Sequence, residues 1–102
     1  MHAVTHTDGF ELVAPERLIS ATRGEFRTAA LRYLDQLGAD ADAIVIDMSQ
    51  TVELDASGLG ILVLIQKRAK DRKLSTRLRR TPERVRNLLK LTMLDFLFEL
   101  TD

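Results

Sequence analysis

Ala43-Ile44-Val45-Ile46-Asp47-Met48-Ser49-Gln50-Thr51-Val52-Glu53-Leu54-Asp55-Ala56-Ser57-Gly58-Leu59-Gly60 is the stretch that decides the fold. Its first six residues are short, apolar and rich in β-branched side chains, the pattern of a central strand covered on both faces. Its end reads as a helix opening at Ser57 and running inward through Leu59, Leu62, Val63, Gln66 and Ala69, turning basic at Lys67, Arg68, Lys70, Arg72 and Lys73. A strand, a loop and a helix N-terminus therefore follow one another within 47–60. The free N–H groups of a helix's first turn favour an anion, and the macrodipole adds to this. A phosphate on Ser57 would be accommodated there while adding about −1.5 to −2 charges to the surface. Gly58 and Gly60 leave the hydroxyl open to close approach by another protein. The plainer alternative is that Ser57 is only a helix N-cap, worth about 1 kcal/mol, with Asp55 supporting the same turn.

Outward from this segment, two further helices are predicted. Phe26, Ala30, Tyr33, Leu34 and Leu37 recur at spacings of three and four, with Thr22 and Glu25 as a capping box and Gly38 as the stop. Thr81-Pro82-Glu83 opens the other, as cap, first helical proline and first-turn acid, and Val85, Leu88, Leu89 and Thr92 form its inward stripe. Leu74, Thr76 and Leu78 alternate with Ser75, Arg77 and Arg79, which reads as a strand. Phe10 to Val13 reads as another, after the turn Asp8-Gly9, with Val4 on a hairpin partner. The tail from Met93 to Leu100 holds six apolar residues in eight and is expected to pack as a short helix or an edge strand. Alternating strands and helices call for a sheet with parallel members, whose functional loops lie at the strands' carboxyl ends.

Composition narrows the function. A chain of 102 residues, 45% apolar and 29% charged, is one ordered domain. It contains no cysteine, so disulfides and thiolate metal sites are out. The N-terminus lacks a basic stretch followed by an apolar run, and the longest apolar run is Ile61 to Ile65, so neither signal peptide nor membrane span is expected. A cytoplasmic location follows as the expectation. Residues 1–59 carry four basic and ten acidic side chains, and residues 60–102 carry eleven basic and five acidic. The basic cluster from Lys67 to Lys90 reads as solvated element faces or as a surface for an acidic partner. Its lack of aromatic residues speaks against stacking on nucleic-acid bases, so no nucleic acid is expected. His2 and His6 stand four apart without further ligands, so no metal and no cofactor are expected.

Enzyme motifs fail on their residues. Gly58-x-Gly60 has Val63 where a dinucleotide loop needs its third glycine, and no Gly-Lys-Ser/Thr follows. Asp55 stands where a nucleophile elbow needs glycine, and no histidine follows His6 to act as base. No catalytic residue is assigned, and the chain is not expected to be an enzyme.

From Ala43 to the C-terminus the sequence closely resembles the STAS domain of bacterial anti-sigma-factor antagonists. The ordered landmarks are Ile46-Asp47-Met48-Ser49, Asp55-Ala56-Ser57-Gly58-Leu59-Gly60, Thr81-Pro82-Glu83-Arg84-Val85 and Leu94-Asp95-Phe96-Leu97-Phe98. The resemblance implies a single STAS domain over 1–102, an α/β fold with a mixed sheet of four to five strands and three to four helices mainly on one side. It implies a transcription regulator of the stress-response type that binds an anti-sigma factor serine kinase when unphosphorylated, is switched off by phosphorylation at Ser57, and is reset by a serine phosphatase. Asp55, Ala56, Ser57, Gly58, Leu59 and Gly60 would form the partner-binding switch segment. Three positions depart from the family's pattern. Ala56 replaces the first serine of a pair, leaving Ser57 as the hydroxyl. Glu16-Arg17-Leu18-Ile19 loses the acidic end of a Gly-Glu-Leu-Asp loop, and Arg72-Lys73 replaces a glycine turn, suggesting a tighter crossover. The alternative within this fold is an accessory subunit docking on the ATPase of an ABC-type phospholipid transporter, with Ser57 a cap alone. A weak homodimer through the Leu88 to Phe98 cluster is also open.

Overall fold

The run 43–47 becomes strand β3 (Ala43–Asp47), buried at every position but the half-buried Val45. It is an inner strand of a four-stranded sheet in the computed structural model, which describes residues 12–102. The order is β1 (Leu12–Val13), β3, β5 (Ser75–Arg79) and β6 (Glu99–Thr101), every pairing among them parallel. The β1 strand shares its position with the end of the Phe10–Val13 run. The turn at Asp8-Gly9, the hairpin partner at Val4 and the His2–His6 pair lie outside the described residues.

Register sorts the two faces. Leu12, Ile46, Leu78 and Leu100 lie side by side across all four strands, and with Ile44 they meet Phe26, Ala30, Ile61, Leu62 and Ile65 in one apolar core. One residue along, Asp47, Arg79 and Thr101 line the opposite face beside the ion pair Arg77–Glu99 at 2.9 Å. Because side chains alternate across a strand, the described helices gather on the apolar face, where Ile44 and Ile46 point. The alternation read in 74–79 is the alternation observed.

Helix α1 (Arg23–Gln36) buries Phe26, Ala30, Tyr33 and Leu34. The capping box expected at Thr22 does not form. Its hydroxyl turns back instead, donating to the Arg17 carbonyl at 2.6 Å and accepting from the Ile19 N–H at 3.0 Å. Helix α2 (Ala56–Asp71) buries Gly58, Ile61, Leu62, Ile65 and Ala69, so its inward stripe is rotated from the predicted one and Leu59, Val63 and Gln66 are half-buried. Arg72, just past its end, donates to the carbonyls of Leu34 and Leu37, capping α1 from a neighbouring element. Helix α3 (Glu83–Leu91) starts one residue later than predicted, with Pro82 as its N-cap.

Both α2 and α3 end in the same backbone motif. After α2, the N–H groups of Lys73 and Leu74 donate to the carbonyls of Lys70 and Ala69; after α3, those of Met93 and Leu94 donate to Lys90 and Leu89. Lys73 and Met93 sit at φ 62 and 59, the left-handed conformation that glycine usually supplies at this position. The turn at Arg72-Lys73 is therefore not tighter: the glycine geometry is kept at a conformational cost of about 1 kcal/mol.

The tail takes both of its expected forms. A single 3-10 turn (Asp95–Leu97) leads into the edge strand β6. Phe98 is buried, but Met93 and Phe96 are 76% and 79% exposed.

Candidate functional site

Two residues of strand on each side, read as loop in the sequence, build the site. Strand β2 (Arg17–Leu18) pairs in parallel with β4 (Glu53–Leu54), Arg17 opposite Glu53 and Leu18 opposite Leu54. This ladder ties the loop after β3 to the chain before α1. Val52 N–H donates to the Glu16 carbonyl at 2.8 Å. Thr51 is fully buried and its hydroxyl donates to the Pro15 carbonyl at 2.9 Å. Arg17 and Glu53 pair across the ladder at 2.8 Å. The loop that presents Ser57 is thus held along its length, and Thr51 is the anchoring residue the sequence reading missed. A buried threonine between Gln50 and an exposed Val52 carries no periodic signal of burial.

Asp55, not Ser57, caps α2. Its Oδ1 accepts the Gly58 N–H at 2.8 Å, and its Oδ2 accepts the Ser20 N–H at 3.0 Å. One carboxylate therefore fastens the helix start to the loop between β2 and α1. Hydrogen bonds from the Gly58 and Ser20 backbone hold the Asp55 carboxyl below its ordinary value of 3.8. Its ionised form is engaged by two donors, so it is poorly placed to take a proton from Ser57.

Gly58 is buried because α2 lands on β2. A Cβ there would lie 2.0 Å from the Leu18 carbonyl oxygen and 2.9 Å from Leu54 Cδ1. The glycine is required by this internal approach. Gly60 faces open space, with nothing within 4 Å of a Cβ.

Ser57 sits in the first turn between these two fixed points. It is half-exposed, and its hydroxyl makes no hydrogen bond to the described residues. The capping explanation for this serine is removed, since Asp55 fills that role. A phosphate here would meet the positive end of α2, but the Gly58 N–H is already taken and a carboxylate stands alongside. Ala56 is exposed and Leu59 half-buried, so the six residues 55–60 form one surface-facing turn with Gly58 turned inward.

A second carboxylate stands at the end of β3. Asp47 is 5% exposed. It accepts the Ser49 N–H at 2.8 Å and pairs with Arg80, itself at φ 55 just after β5. Burial opposes its charge, but the Ser49 N–H and hydroxyl and the Arg80 guanidinium outweigh that and hold the carboxyl below 3.8.

Both lowered carboxyls have the same linkage sign. Each contributes stability fully present above the unfolded value of 3.8 and lost as pH falls through its lower folded value. Urea melts should therefore show a steep loss of stability below about pH 4. Asp47→Asn and Asp55→Asn should each flatten that acid limb; a limb unchanged by both would contradict the assignment.

No group of three or more His, Asp or Glu side chains among the described residues could hold a metal, and no helix among them is long and apolar enough to cross a membrane.

The parallel sheet, the helices on its apolar face and the capped loop-to-helix turn define a small α/β domain with a presented hydroxyl. The family model for the STAS domain matches residues 3–102, and the chain belongs to that family. Among solved structures it is similar to a candidate anti-sigma factor antagonist from Thermotoga maritima, with 22% identity and a TM-score of 0.77. The match covers 96% of this chain and 83% of that one, and at this identity the likeness is one of fold.

Proposed function

We propose that this chain is a non-enzymatic, anti-sigma-factor antagonist-type switch of the cytoplasm, with Ser57 as its phosphoacceptor. It binds an anti-sigma factor serine kinase while Ser57 is free, is switched off when Ser57 is phosphorylated, and is reset by a serine phosphatase. The observation that carries this reading is the state of Ser57: a half-exposed hydroxyl without a partner among the described residues, on a turn rigidly held by Asp55 and Gly58. Buried polar groups are hydrogen-bonded within the fold; this hydroxyl is neither buried nor bonded to a described residue, so a kinase could take it up without breaking a contact of the domain.

The reaction would move the γ-phosphoryl of ATP to Ser57 Oγ, with the serine proton passing to a base of the kinase, since Asp55 is engaged elsewhere. Incubation with ATP and the anti-sigma factor kinases of the same cell tests this. One phosphate should enter the wild-type chain, on the peptide bearing Ser57, and none should enter Ser57→Ala. Equal incorporation into Ser57→Ala would contradict the assignment.

A further inference from the structure

Helix α3 commits only part of its apolar surface to the core. Val85 and Leu89 are buried, but Leu88 is half-buried and Leu91 is 82% exposed. Arg84, Leu88 and Leu91 follow at spacings of four and three, so they form one stripe along the helix. Opposite that stripe runs the loop into β4, where Val52 is 54% exposed. Between them lies a groove of about 510 Å³, lined by Val52, Leu54, Val85, Leu88 and Leu91, with polar edges at Glu53, Arg84 and Asn87.

The charge at these edges is unbalanced. Glu53 is already paired with Arg17. Arg84 spans the groove to the Val52 carbonyl at 3.2 Å and has no carboxylate partner among the described residues. An apolar floor beside an unmatched guanidinium suits an apolar segment bordered by carboxylates. The groove also adjoins the presented turn, since Leu54 lines it and lies against Gly58.

We propose that this groove receives an amphipathic helix of a partner protein, its apolar stripe bordered by acidic side chains, one of which pairs with Arg84. Anchors one turn apart would seat among Val52, Leu88 and Leu91, the helix-in-groove mode of recognition. The groove and the Ser57 hydroxyl are then two adjacent but separable contacts, and the groove stands whether or not Ser57 is phosphorylated.

The test uses the full isotope-labelled chain followed by NMR, titrated with a synthetic helical peptide carrying a leucine stripe flanked by glutamates. A matched peptide has lysines in place of the glutamates. The acidic peptide should shift the amides of Val52, Leu54, Leu88 and Leu91 saturably and bind about tenfold more tightly than the lysine peptide. Arg84→Glu should reverse that preference, and Leu91→Asp should abolish both interactions. Both residues are exposed, and unchanged circular dichroism would confirm that the variants fold. Ser57→Ala should bind the acidic peptide as wild type does, which separates this result from the fate of the switch. Equal binding of both peptides, or shifts centred on Met93 and Phe96, would overturn the proposal. So would concentration-dependent shifts of the groove amides without peptide, accompanied by dimer in sedimentation, because the occupant would then be a second copy of the chain.

Discussion

Gly58→Ala should lower stability by about 2 kcal/mol or more, a fall in Tm of roughly 10 °C for a domain of this size. The added Cβ would stand 2.0 Å from the carbonyl oxygen of Leu18 and 2.8 Å from its carbonyl carbon. Both are backbone atoms, so no side-chain rotation can relieve the clash. The helix start must lift from β2, and with it go the Asp55 bonds to Gly58 and Ser20. Replacing glycine within a helix ordinarily gains about 1 kcal/mol, which offsets only part of the strain. Gly60→Ala supplies the control: two residues further along the same helix nothing lies within 4 Å, so stability should rise. Thermal melts of the two variants should therefore move in opposite directions. A Gly58→Ala protein as stable as wild type would mean that α2 does not rest on β2 as described.

Phosphorylation of Ser57 should weaken binding to the anti-sigma factor kinase by about a hundredfold or more, like-charge juxtaposition and desolvation costing several kcal/mol in an interface. The phosphate would join the Asp55 carboxylate on one half-exposed turn, so the surface offered to the partner turns from a neutral hydroxyl into a cluster of negative charge. Asp55 cannot easily withdraw, because its oxygens hold α2 and the loop before α1. Ser57→Ala should keep full affinity and lose the switch, while the melting temperature changes little, since the hydroxyl bonds to none of the described residues. Calorimetry on the free, phosphorylated and alanine forms separates these cases. Equal affinity of the free and phosphorylated forms would show that the turn is not the contact.

Much of this architecture is legible in the residues because burial leaves a periodic trace. The short, β-branched run 43–47 has the length and composition of an inner strand, and 74–79 alternates as a half-covered strand should. The α1 stripe through Phe26, Ala30, Tyr33 and Leu34 follows the same logic. Features built by the backbone leave no such trace. The β2–β4 ladder is two residues deep, too short for alternation to register. The choice between Asp55 and Ser57 as cap turns on where the first helical turn begins, and both residue types suit the position. Thr22 illustrates the converse: its spacing to Glu25 has the form of a capping box, yet the carbonyls of Arg17 and Ile19 compete successfully for its hydroxyl. Gly58 was legible as an unusual residue, but its reason, the carbonyl of Leu18, comes from forty positions earlier in the chain. The apolar tail misled in part, since Met93 and Phe96 face outward.

The most direct measurement of the central claim is phosphopeptide mass spectrometry of the chain recovered from its own cells at rest and under stress. The peptide containing Ser57 should carry a single phosphate whose occupancy changes with condition, and Ser57→Ala should carry none. A chain that never bears phosphate at Ser57, with partner binding and phenotype unaffected by Ser57→Ala, would contradict the switch.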